Sequence, residues 1–110
     1  MADQYKTGDI VDINLDSPPD QVKGHEQGET RPCLIIKSFE RLGLLIVLPI
    51  TGSQQKFPLY SIVELQAGFG GLTKTSYVLC FQIRTVSLRR ITKKRSSITH
   101  RDLSKVITVL

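Results

Sequence analysis

Along most of this chain the apolar positions recur with the period of two that strands require. In DIVDINLD (9–16), Val11, Ile13 and Leu15 alternate with Asp12 and Asn14, which predicts a strand buried on one face only. CLIIKSF (33–39) and GLLIVLPI (43–50) are nearly continuous apolar runs on either side of a short turn. They predict two central strands covered on both faces. FPLYSIVEL (57–65) predicts another strand, which Pro58 confines to an edge or a bulge because proline cannot donate to a ladder. SYVLCFQI (76–83) and VSLRRI (86–91) predict two more.

Polar segments separate these runs. Residues 16–30 (DSPPDQVKGHEQGET) form a long loop, of a length that in compact domains often serves function. TGSQQ (51–55) is a second polar loop, and QAGFGGLTK (66–74) is a glycine-rich connection. Only the tail, THRDLSKVITVL (99–110), has helical spacing. Thr99 with Asp102 resembles a capping box, and Leu103, Val106, Ile107 and Leu110 fall at i, i+3, i+4 and i+7. Its β-branched residues make it a weak helix by propensity, so it must form by packing. Short strands around one core with a final helix describe a small barrel or a highly curved sheet.

At 110 residues with 40% hydrophobic content, the expectation is a single domain over residues 1–110 with one modest core. The formal net charge is +5. Between positions 84 and 101 the chain carries Arg84, Arg89, Arg90, Lys93, Lys94, Arg95 and Arg101 with no acidic residue. Such a run suits a polyanion such as nucleic acid, or is simply a solvated face. Cys33 and Cys80 sit inside apolar runs and are too few for a disulfide framework or a four-cysteine zinc site, so buried thiols are expected. The charged N-terminus lacks the apolar stretch of a signal peptide, and LGLLIVLPI (42–50) falls far short of the roughly 20 residues a membrane span needs. A cytoplasmic protein without a membrane partner is the expectation. No phosphate-binding glycine loop, dinucleotide fingerprint or HExxH zinc motif is present.

The most unusual stretch is GHEQGETRP (24–32), which sets a histidine, two carboxylates and an arginine at the mouth of a buried strand. There the chain resembles the MazF/PemK family of toxin endoribonucleases. The resemblance starts at Gly8-Asp9-Ile10-Val11, covers the Gly24–Pro32 loop and the CLIIKS strand, and continues through Pro49-Ile50-Thr51. It ends with Gly71-Leu72, Ser76-Tyr77-Val78 and Gln82-Ile83-Arg84-Thr85, in order and with similar spacing. It implies a mostly β fold, a small SH3-like barrel of five to seven strands (MazF/PemK/CcdB-like) with a C-terminal helix. It further implies a homodimer, metal-independent and sequence-specific cleavage of single-stranded RNA with no cofactor, and a cognate antitoxin as protein partner.

The residues suit that chemistry. RNA carries its own nucleophile, the 2′-hydroxyl, so a protein need supply only a base, a cation for the phosphorane charge and an acid for the departing oxygen. Arg31 fits the cation role, because its planar guanidinium can donate two parallel hydrogen bonds to a phosphate; the alternative is an ion pair with Glu26 or Glu29. Thr51 corresponds to a threonine that contacts the scissile phosphate in relatives, or is an ordinary turn hydroxyl. His25 can exchange a proton near neutral pH, although a lone loop histidine is usually just solvated. Glu26 and Gln27 brace the loop or bind a base edge. Ser53, Gln82 and Arg84 complete the candidate RNA contacts. One departure stands out. PemK-like members place an acid/base Asp directly before the Gln of their Q-x-R-T motif, where this chain has Phe81, and an arginine where it has Leu79. That change keeps two other readings open: a non-catalytic nucleic-acid-binding module, and a protein-directed toxin of the topoisomerase-binding kind.

Overall fold

The computed structural model describes residues 4–15, 30–52, 57–68 and 71–110. Its strands are β1 (Asp9–Asn14), β2 (Thr30–Phe39), β3 (Leu44–Thr51), β4 (Ile62–Leu65), β5 (Ser76–Leu79), β6 (Arg84–Ser87) and β7 (Ile91–Ser97). One α-helix, α1 (His100–Val109), follows them. The sheet is antiparallel and runs β4-β5-β3-β2-β1-β7, with β6 also paired to β3.

The two apolar runs form the central hairpin, as their pattern predicts. A 3-10 turn at Glu40–Leu42 leads to Gly43 at φ 73°, whose N–H donates to the Glu40 carbonyl at 2.9 Å. A left-handed backbone of this kind favours glycine because a Cβ would crowd the carbonyl. β2 takes one edge of β3, and β5 and β6 share the other. Ile50 and Thr51 pair with Val78 and Tyr77, whereas Leu44 to Val47 pair with Ser87 back to Arg84.

Several elements differ from the pattern reading. The expected barrel does not close: among the described residues no ladder joins β4 to β7. β4 is only four residues long and follows Pro58, and β7 presents exposed Lys93 and Lys94, devices that discourage further pairing. β1 is covered on both faces rather than one, with Asp9 and Asp12 at 4% and 9% exposure. Each is tolerated because a cation from β7 meets it. β7 extends through a charged stretch that the periodicity assigns to no element, and the expected VSLRRI strand breaks into β6, a 3-10 turn (Leu88–Arg90) and β7. β5 stops at Leu79, where the Gln82 N–H turns back to the Leu79 carbonyl at 3.1 Å.

Alternating side chains feed two apolar clusters. Ile10, Leu34, Leu48, Ile50 and Val78 point into one, which α1 covers through fully buried Val106. Val11, Ile13, Cys33, Ile35 and Val47 point into the other. Thr99 caps α1, its hydroxyl accepting from the Asp102 N–H at 3.1 Å. The helical stripe is only partly used, since Ile107 and Leu110 remain 51% and 48% exposed. Among the described residues no helix is long and apolar enough to cross a membrane.

A candidate active-site row across four strands

The register of the sheet decides which polar side chains share a face, because residues directly opposite one another stand about 4.5–5.5 Å apart at Cβ. Cys33 of β2 is opposite Pro49 of β3. Arg31 and Thr51 each lie two residues beyond that last β2–β3 pair, on the same face. Thr51 is in turn opposite Tyr77 of β5, and Tyr77 is opposite Glu64 of β4. Thr51, Tyr77 and Glu64 therefore form one row, with Arg31 on the face they share. On its other side Arg31 is opposite Ile13 of β1, whose buried side chain fixes the row to the second cluster's face. Arg84, opposite Val47 at the start of β6, lies on the same face and is exposed.

Cys33 lies on the same face and is fully buried. Burial pushes its thiol up to about 12, and the cations of Arg31 and Arg84 both pull the other way while Asp12 adds to the rise. On this face Thr51 and Tyr77 are half-buried and Glu64 is exposed.

Behind the row, on the opposite face, lies a cavity of about 180 Å³ lined by Pro32, Ile50, Leu72, Lys74, Ser76 and Arg95. It touches the row only at its rim, through Thr51 and Gly52. Lys74 lies across Gly52 so closely that a Cβ there would come within 2.7 Å of its Nζ and overlap the carbon before it. The wall is fixed by Arg95. Its Nε and Nη2 donate to the two Asp12 oxygens at 2.6 and 3.2 Å, and its Nη1 donates to the Gly71 carbonyl at 2.6 Å. This fork ties the glycine-rich connection to β1 beside Pro32.

The basic run is thus half scaffold. Arg95 is committed to Asp12, Lys94 lies 3.4 Å from Asp9 and donates to the Gln4 carbonyl, and Arg90 donates to the Asn14 carbonyl. Arg84, Arg89, Lys93 and Arg101 are exposed and form the part that faces solvent.

Of the residues singled out by sequence, Arg31, Thr51 and Arg84 lie on one face of the sheet. Gln82 is exposed in the turn between β5 and β6. His25, Glu26, Gln27 and Ser53 lie outside the described residues. Phe81 packs its ring against Phe57, with centroids 5.4 Å apart and a 43° tilt. Tyr77 and Glu64 were not singled out for the site, because only the strand register reveals them. Among the described residues no group of three His, Cys, Asp or Glu side chains is placed to hold a metal ion.

Comparison with known proteins identifies the family. Residues 6–110 match the family described as PemK-like, MazF-like toxin of type II toxin–antitoxin system. The chain is 40% identical over 100 residues to Endoribonuclease EndoA of Bacillus subtilis, covering 88% of this chain and 80% of that protein. It is 32% identical over 104 residues to Endoribonuclease MazF of Staphylococcus saprophyticus, covering 92% and 83%. Its fold superposes on a MazE–MazF crystal structure from Deinococcus radiodurans with a TM-score of 0.74 at 26% identity, covering 94% of this chain and 89% of that one. A mycobacterial endoribonuclease in complex with its cognate antitoxin has the same fold, at a TM-score of 0.70 and 18% identity over 94% and 87% of the two chains. This chain belongs to the PemK-like, MazF-like toxin family of type II toxin–antitoxin systems.

Proposed function

We propose that the protein is a sequence-specific endoribonuclease toxin that cuts single-stranded RNA by attack of the 2′-hydroxyl on the adjacent phosphorus. The observation that supports this most directly is that Arg31 and Thr51 lie on one face, which also holds Arg84. Arg31 offers a fork of donors to the phosphate, and Thr51 adds a hydroxyl beside it. His25 is the candidate for taking the 2′-hydroxyl proton, and Glu26, Gln27, Ser53, Gln82 and Arg84 are candidates for holding the bases and backbone. The dependence on a 2′-hydroxyl makes RNA rather than DNA the substrate, and no metal is required for that chemistry. The relatives crystallised with antitoxins support a cognate antitoxin as partner. The half-covered stripe of α1 supports a homodimer of this one cytoplasmic domain.

The test is cleavage of single-stranded RNA in EDTA, with a substrate carrying a single 2′-deoxy nucleotide at the cut as control. Products ending in a cyclic phosphate and a 5′-hydroxyl, and no cutting of the control, are expected. Binding without cutting would instead identify a non-catalytic RNA-binding module. His25→Ser should lower the rate without abolishing it and flatten its pH dependence between about 6 and 7.

A further inference from the structure

In-line displacement at phosphorus puts the attacking and departing oxygens on opposite sides of the phosphate, so its acid and base must approach from opposite sides. A phosphate held by Arg31 and Thr51 has β5 along one of those sides. The residue that β5 presents there is Tyr77, opposite Thr51. We infer that Tyr77 is the general acid of the cleavage, its phenol protonating the departing 5′-oxygen; the inference rests on the endoribonuclease reading above.

Three observations carry it. Neighbouring strands lie about 4.8 Å apart, less than the length of a tyrosine side chain, so a phosphate beside the Thr51 hydroxyl is within reach of a phenol at half-buried Tyr77. A phenol carries its proton through the physiological range and can release it to a developing alkoxide. The shared face is also polarised. Arg31 stands at one end and Glu64 at the other, where it accepts from Gln66 Nε2 at 3.2 Å. Repulsion from the Glu64 carboxylate confines a phosphate to the Arg31 side of Tyr77. Phe81 offers no proton in the β5–β6 turn, since its ring packs on Phe57.

In the step, the 2′-oxygen bonds to phosphorus and its proton passes to a basic group or water on the far side. The bond from phosphorus to the 5′-oxygen breaks with its electron pair on oxygen, which takes the phenolic proton. A 2′,3′-cyclic phosphate and a 5′-hydroxyl leave, and the phenolate recovers a proton from solvent.

The experiment compares wild type and Tyr77→Phe, which deletes only the hydroxyl, on two RNAs. One has the natural 5′-oxygen at the cut and the other a 5′-sulfur, which departs as a thiolate without needing a proton. On the oxygen substrate Tyr77→Phe should lose on the order of a hundredfold in kcat with KM little changed, the scale of general acid catalysis. On the sulfur substrate the two proteins should agree within a few-fold. Full activity of Tyr77→Phe on the oxygen substrate, or an equal loss on both substrates, would overturn the assignment. The pH profile of the wild type gives a readout independent of the variant's folding: an alkaline limb present with oxygen and absent with sulfur supports the acid, and identical limbs oppose it. A wild type that cuts neither RNA defeats the endoribonuclease reading itself, and this inference with it.

Discussion

Arg95 Nε lies 2.6 Å from Asp12 Oδ1, joining the last strand to the first across 83 positions of sequence. The two side chains are 24% and 12% exposed, so neither charge can recover full hydration if the other is removed. Arg95→Ala should therefore cost about 3 kcal/mol, the low end of what breaking a buried pair costs. Arg95→Lys should recover part of this but not the second donor to Asp12 or the link to Gly71. Urea midpoints for the three proteins check it. A shift of only a few tenths would mean that the pair behaves as an exposed one.

Asp9 predicts a pH dependence. Burial alone would raise its carboxyl, but the Ser97 hydroxyl at 2.6 Å, the Lys6 N–H at 2.9 Å and the Lys94 ammonium together hold it below the usual value. The folded chain then binds a proton at Asp9 less readily than the unfolded one. Its stabilisation is present above about pH 4 and is lost as the pH falls through the folded value. Asp9→Asn should lower stability at pH 7 and flatten the acid limb. Denaturation midpoints between pH 2 and 7 read this directly.

Cys33 makes the opposite case. Its thiol is pushed up to about 12, so between about pH 9 and that value the folded chain keeps a proton that the unfolded chain releases. The contribution of this group is intact at neutral pH and declines as the pH rises past 9. Iodoacetamide at pH 8.5 should label fully buried Cys33 only as fast as the protein opens, and at once in denaturant. Rapid labelling of the native chain would contradict the burial.

Arg31→Ala should reduce cleavage on the order of a hundredfold, as loss of one transition-state donor does. Binding to an uncleavable 2′-deoxy oligonucleotide should fall much less. Exposed Arg84, Arg89, Lys93 and Arg101 supply that attraction, whereas Arg90, Lys94 and Arg95 are engaged within the fold. Neutralising Lys93 should reduce the salt dependence of binding, and neutralising Lys94 should mainly reduce stability. Titrations at several salt concentrations separate the two.

The central hairpin was legible from sequence because two apolar runs flank a single turn marked by Gly43. Tyr77 was not legible beside Thr51, because β5 reaches β3 through a long connection and no local rule sets its register. The alternation in β1 misled for a related reason. Asp12 reads as solvent-facing until Arg95 is brought to it from far along the chain. Most of β7 shows no apolar alternation, because as an edge strand it carries exposed lysines that read only as a solvated face. The family resemblance implied closure of the barrel, and the shortness of β4 left it open.

The pairing of β1 with β7 also orders events in time. A chain made from its N-terminus has Asp9 and Asp12 long before it has Lys94 and Arg95, so the ion pairs of the first strand cannot form until the seventh exists. While the ribosome is still reading the message, the nascent toxin lacks the strand that settles its sheet and fixes the wall behind Thr51. The wall behind Thr51 is therefore complete only once β7 can pair with β1.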